Sequence, residues 1–137
     1  IVFNYSNLVE PDTVIIADPE QLKKVINNII GNSIKYLDRK DGEIDVRILD
    51  ELDAIRVEIE DNGKGIAAKD LPNIFERFYR TDASRNSAQG GSGIGLSIVK
   101  KIIEDHGGYI WATSKVDEGT CMHFVIRKYR EAQEEIE

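Results

Sequence analysis

Two short runs of strict alternation constrain this chain more than anything else in it. Ile44, Val46 and Ile48 are interleaved with Asp45 and Arg47, and Ile55, Val57 and Ile59 with Arg56 and Glu58. A period of two puts every apolar residue on one face of a strand. The polar stretch from Asp50 to Asp53 joins the runs as a turn, so they read as an antiparallel hairpin with one wet face and one face that must be covered. The cover is at hand upstream. Leu22, Val25, Ile26, Ile29 and Ile30 recur at i, i+3, i+4, i+7 and i+8, which predicts a helix from Glu20 to about Leu37. Asp18 stands ready as its N-cap, with Pro19 at the first helical position.

The remaining elements follow the same logic. Val14, Ile15 and Ile16 predict a short strand before the helix, and Lys69 to Phe78 a short helix after the hairpin. Ile98, Val99, Ile102 and Ile103 predict a second amphipathic helix from Ile94 to His106, stopped by Gly107-Gly108. Tyr109 to Ser114 and Thr120 to Ile126 form a closing hairpin around Asp117-Glu118-Gly119. Between Tyr79 and Gly93 almost nothing is apolar, a loop long enough to suggest function. The tail from Arg127 to Glu137 is charged and predicts a frayed helix. With no repeat and no linker, residues 1–137 form a single domain. Its fold class is α+β, a two-layer sandwich of a mixed, mostly antiparallel sheet with helices on one face.

Composition removes several functions. With 18 Lys and Arg against 25 Asp and Glu the net charge is −7, which opposes a nonspecific grip on nucleic acid or an anionic membrane. No apolar run approaches the ~20 residues of a membrane span, so no direct insertion is expected. A lone cysteine, Cys121, excludes a disulfide framework. The chain starts at Ile1 without a signal peptide and reads as part of something longer.

Three clusters carry candidate chemistry. With Leu22 at zero on a helical wheel, Asn28, Asn32 and Lys35 fall at about 240°, 280° and 220°, one polar stripe beside the buried face. Two carboxamides at i, i+4 can offer oxygens to a cation or its waters; they can equally be a solvated flank. Asp61 ends the second strand and is followed by Gly63 and Gly65. That carboxylate can accept from an exocyclic amine while the glycines let backbone approach, or the segment can be an ordinary turn. Gly91-Ser92-Gly93-Ile94-Gly95-Leu96 opens the second helix, where free N–H groups and the helix dipole suit phosphate. No Gly-Lys-Ser/Thr follows, so it is not a Walker A loop, and no parallel βαβ unit makes it a dinucleotide fingerprint.

In this order the clusters resemble the ATP-binding catalytic domain of sensor histidine kinases, from about Asp18 to Ile126. That domain belongs to the GHKL superfamily, with gyrase, the ninety-kilodalton heat-shock chaperone and mismatch-repair ATPases. Asn28 to Tyr36 is similar to the family's N box, and Asp61-Asn62-Gly63-Lys64-Gly65-Ile66 to its first glycine box. Phe75 to Arg80 is similar to the F box, and Gly91 to Leu96 to the second glycine box.

The resemblance implies roles. Asn28 and Asn32 would hold Mg²⁺ between the phosphates of ATP, with Lys35 and Arg77 adding positive charge. Asp61 would read the adenine amino group, Tyr36 would pack near adenine, and Gly63, Gly65 and Ile66 would shape that end. Gly91, Ser92, Gly93, Ile94, Gly95 and Leu96 would sit by the phosphates, in and beside a lid spanning about Phe78 to Gly93. Phe78 would tie the lid down or else serve as a plain core aromatic, and Thr120 would support the adenine end near Asp61. Ser33 stands where the family more often has alanine, a difference taken to touch no ligand.

Hydrolytic relatives carry a glutamate where this chain has Asn28; a carboxamide cannot take a proton from water, which favours transfer to a protein nucleophile. His106 and His123 read as structural, so the acceptor histidine is expected on a separate dimerisation domain of the same kinase. A response regulator would receive the phosphoryl group next. The isolated domain is expected to be a monomer, its parent a homodimer that is membrane-anchored with this domain in the cytoplasm. Two other readings are a nucleotide-binding regulatory module and an ATP-hydrolysing relative.

Overall fold

A computed structural model describes residues 1–79 and 95–129. Strands β1 (Val2–Asn7), β2 (Glu43–Asp50), β3 (Ala54–Asp61), β4 (Ile110–Lys115) and β5 (Gly119–Arg127) form one sheet in the order β1-β2-β3-β5-β4. β1 runs parallel to β2, and every other pair is antiparallel. The alternating hairpin pairs as its pattern requires, with Val46 opposite Ile59 and Ile48 opposite Val57. The sheet is therefore mixed and mostly antiparallel.

Helices α1 (Pro19–Lys35) and α2 (Gly95–Asp105) supply the cover. Val25 and Ile29 of α1 join Val99, Ile102 and Ile103 of α2 in one buried cluster with Ile44, Val57, Ile59, Met122, Phe124 and Ile126. α1 begins where its cap residue dictates. Asp18 accepts from the N–H groups of Glu20 and Gln21, at 2.9 and 3.2 Å.

Three elements differ from expectation. The strand at Val14–Ile16 is a single antiparallel bridge between Ile15 and Lys128. Asp18 must cap α1, so the chain turns away after Ile16 and one register position is all that remains. The helix over Lys69–Phe78 is a 3₁₀ turn at Leu71–Asn73 and a train of i→i+3 turns. Asn73 bonds back to Asp70, Glu76 to Asn73 and Tyr79 to Glu76, at 2.9, 3.0 and 3.2 Å. Pro72 has no N–H to give, and Phe78 breaks the run by adopting φ 67°. Finally, Arg127 ends β5 rather than starting a tail helix. The tail beyond Tyr129 and the lid from residue 80 onward lie outside the described residues.

Candidate nucleotide site

α1 brings its polar stripe to the mouth of the sandwich. Asn28 is half-buried, and its Nδ2 donates to the Lys24 carbonyl at 2.9 Å. That bond orients the amide and leaves Oδ1 toward the start of α2, 3.2 Å from where a Cβ on Gly95 would stand. Asn32 lies one turn on, half-buried. An amide oxygen so directed is the donor type a hard divalent cation takes. Tyr36 caps the helix, its N–H bonding to the Asn32 carbonyl at 3.2 Å. The ammonium groups of Lys35 and Lys64 stand 5.7 and 5.8 Å from its ring centre, gathering positive charge at this end.

Asp61 is the buried carboxylate of the site, 8% exposed at the end of β3 and paired with Thr120 of β5. Its Oδ1 accepts from the Gly63 N–H at 2.9 Å. Burial pushes its pKa above the ordinary value; hydrogen bonds from Gly63, Ser33 and the Thr120 backbone pull against that, and the Glu60 charge adds to the rise. A carboxylate this buried and held by three donors is a stiff acceptor with little water to compete.

The loop after Asp61 is pinned on two sides. The Lys64 N–H donates to the Tyr36 carbonyl at 3.3 Å, and the Asp117 N–H to the Lys64 carbonyl at 2.8 Å. Gly65 takes φ +76° with its Cα against the Lys115 carbonyl, where a Cβ would come within 2.1 Å of the oxygen. Ile66 donates its N–H to Ser114 Oγ at 2.8 Å, and that hydroxyl also meets the Gly119 carbonyl at 2.7 Å and Thr120 Oγ1 at 2.8 Å. Ser114 thus fastens the loop to the β4–β5 turn and sets Thr120 beside Asp61. The side chain of Ile66 packs on the core, as does that of Leu96 in α2.

The structure brings together Asn28, Asn32, Lys35, Tyr36, Asp61, Gly63, Gly65, Thr120 and Gly95. Arg77 and Phe78 form a separate pair, the guanidinium 4.7 Å from the ring centre and Phe78 61% exposed. Just after them the Tyr79 hydroxyl donates to buried Asp70. Gly91, Ser92, Gly93 and Ile94 lie outside the described residues. Ser33 requires a correction. It is 5% exposed, and its hydroxyl bonds to Asp61, so it touches a proposed ligand after all. Ser114 was not singled out by the sequence either. The signal for Ser33 was present, a polar residue on the buried stripe of α1 one turn after Ile29; for Ser114 there was none.

Residues 17–130 match the family model for histidine kinase-, DNA gyrase B- and HSP90-like ATPases. The chain belongs to that family. It is 36% identical over 131 residues to the sensor histidine kinase WalK of Bacillus subtilis, covering 94% of this chain and 21% of WalK. The chain thus spans about a fifth of the length of that relative. Among solved structures it is similar to the catalytic domain of histidine kinase ThkA, with a TM-score of 0.76, 31% identity and coverage of 92% and 78% of the two chains. It is also similar to ThkA in complex with the response regulator protein TrrA, with a TM-score of 0.73, 30% identity and coverage of 93% and 34%. The fold is that of histidine kinase catalytic domains, and among the described residues no helix is long and apolar enough to cross a membrane.

Proposed function

We propose that residues 1–137 are a single ATP-binding catalytic domain of a sensor kinase, which passes the γ-phosphoryl group of ATP to a histidine on a separate dimerisation domain. The observation that carries this reading is the pairing of two ends. A buried carboxylate, Asp61, lies at one end, and an amide oxygen of α1, Asn28, faces the start of α2 at the other. Adenine fits the first end, where Asp61 accepts from its amino group and Tyr36 and Thr120 flank it. The triphosphate fits the second, beside Gly95, with Lys35 and Arg77 as the counter-charges that the family resemblance implies.

Asn28 and Asn32 are the residues that would hold Mg²⁺, and the ion would neutralise phosphate charge. The domain's own work is positioning. The bond from γ-phosphorus to the bridging oxygen breaks as a nitrogen–phosphorus bond forms on the partner imidazole, and ADP leaves. Asn28 takes no proton, so water is not activated by that residue, which disfavours hydrolysis. The WalK and ThkA relationships support kinase activity, and the ThkA–TrrA complex supports a response regulator as the next partner. The parent would be a membrane-anchored homodimer with this domain in the cytoplasm.

Calorimetric titration of Mg-ATP into the native domain and into Asp61→Asn tests the pocket. Binding by the first and loss by the second is expected; equal binding by both, or none by either, overturns it. Phosphorylation of an added histidine-bearing dimerisation domain then distinguishes transfer from a regulatory module, and phosphate release without that partner would indicate hydrolysis.

A further inference from the structure

The face of the sheet turned away from the helices holds a cluster that the nucleotide site does not use. Glu58 of β3 pairs directly with His123 of β5, and the next register position pairs Glu60 with Cys121. One ligating atom from each of Glu58, Cys121 and His123 lies within 4.8 Å of the other two. We propose that these three residues form a site for a zinc-type divalent transition-metal ion, binding through Glu58 Oε2, Cys121 Sγ and His123 Nδ1.

The donor set suits such an ion, because thiolate and imidazole select it over magnesium or calcium. Tetrahedral ligands at about 2.0–2.3 Å from a zinc-type ion are about 3.5 Å apart, a little closer than the 4.8 Å limit within which these three atoms lie. The outer shell is already in place. His123 Nε2 lies 3.0 Å from Thr113 Oγ1, and the imidazole stacks on Trp111 with ring centres 4.9 Å apart and planes 3° from parallel. Glu58 uses Oε1 for Arg47, at 3.1 Å, which leaves Oε2 facing His123 Nδ1 at 2.9 Å. Metal-bound imidazoles and carboxylates carry hydrogen bonds of this kind on their second atoms.

The exchange balances simply. The imidazole hydrogen moves from Nδ1 to Nε2, where the Thr113 hydroxyl accepts it, and the thiol proton passes to solvent. Three cationic contacts compete for the same carboxylates: Arg47 on Glu58 and Glu60, and Arg56 3.5 Å from Glu58 Oε2. Arg47 Nη2 also lies 3.8 Å from Cys121 Sγ, so the ion must displace that contact and the Arg56 contact, while Arg47 Nε keeps Glu58 Oε1.

Titration of the protein with Co²⁺ as the probe tests the site. The expected result is one ion bound, with tetrahedral visible bands and a thiolate-to-cobalt absorption in the near ultraviolet, and displacement by Zn²⁺. Cys121→Ser should abolish the thiolate band and His123→Gln should weaken binding more than Thr113→Val, which is expected to cost about 10-fold. Thermal melts of each variant without metal verify that it is folded. No Co²⁺ binding by the native chain, or binding and spectrum unchanged in folded Cys121→Ser and His123→Gln, would overturn the proposal.

Discussion

The amide oxygen of Asn28 lies 3.2 Å from the point a Cβ on Gly95 would occupy. The Asn28 side chain of the first helix therefore reaches up to the first turn of the second, at the place proposed for metal and phosphate. Gly95→Ala should leave the fold intact, because alanine is the better helix former. It should push Asn28 aside and weaken Mg-ATP binding about tenfold, about 1.4 kcal/mol. Calorimetry alongside a thermal melt measures both; unaltered affinity would detach Asn28 from the metal.

Asp61→Asn should show a pH signature that loss of packing would not. Burial raises the Asp61 pKa in the folded chain, so the folded state holds this proton more tightly than the unfolded one. The contribution is fully present below the unfolded pKa, and it is lost as pH rises through the folded value. Asn does not titrate. Urea melts from pH 3 to 7 should therefore show the difference in stability moving in favour of Asn as pH rises, while ATP binding is lost.

Ser33→Ala removes a donor that helps hold the Asp61 carboxylate charged. The Asp61 pKa should climb further above its ordinary value, followed by carboxyl-carbon NMR, and stability at pH 7 should fall by about 1.5 kcal/mol. A folded Ser33→Ala protein with unmoved Asp61 titration would remove Ser33 from the site.

Gly65→Ala forces a side chain into φ +76° and against the Lys115 carbonyl. The expected cost is about 3 kcal/mol, with Tm lower by on the order of 10 °C. Loss of ATP binding should accompany it, since Lys64 and Ile66 on either side hold the loop to Tyr36 and Ser114.

The elements written in local pattern were legible in advance. Alternation at Ile44–Ile48 and Ile55–Ile59 specified a register because a slip of one residue would turn every isoleucine to water. Asp18-Pro19 specified where α1 starts because the cap is made within the segment itself. What escaped depends on partners distant in sequence. Ile15 pairs once because β5 ends beside it, and Ser33 acquires a role only when the sheet brings Asp61 to the end of α1. The turns at Asp70–Tyr79 defeat a helical reading because Pro72 lies inside them. The site was legible as residue types, whereas Ser114, which fastens its glycine loop, has an unremarkable setting in the chain.

The helix pair also carries a length constraint. At the end away from the proposed phosphates, the Asp18 N–H donates to His106 Nε2 at 3.0 Å, and His106 Nδ1 meets the Ile102 carbonyl at 2.7 Å. α1 and α2 thus run in opposite directions and are gauged against each other twice, at Asp18 with His106 and at Asn28 with Gly95. At about 1.5 Å per residue the stretches between these stations span about 15 Å from Asp18 to Asn28 and about 16.5 Å from Gly95 to His106. Like two rulers pinned at both ends, they must agree: one residue inserted into either helix would unseat the imidazole or close the gap at Gly95, and the pair would tolerate a change of length only if both helices made it together.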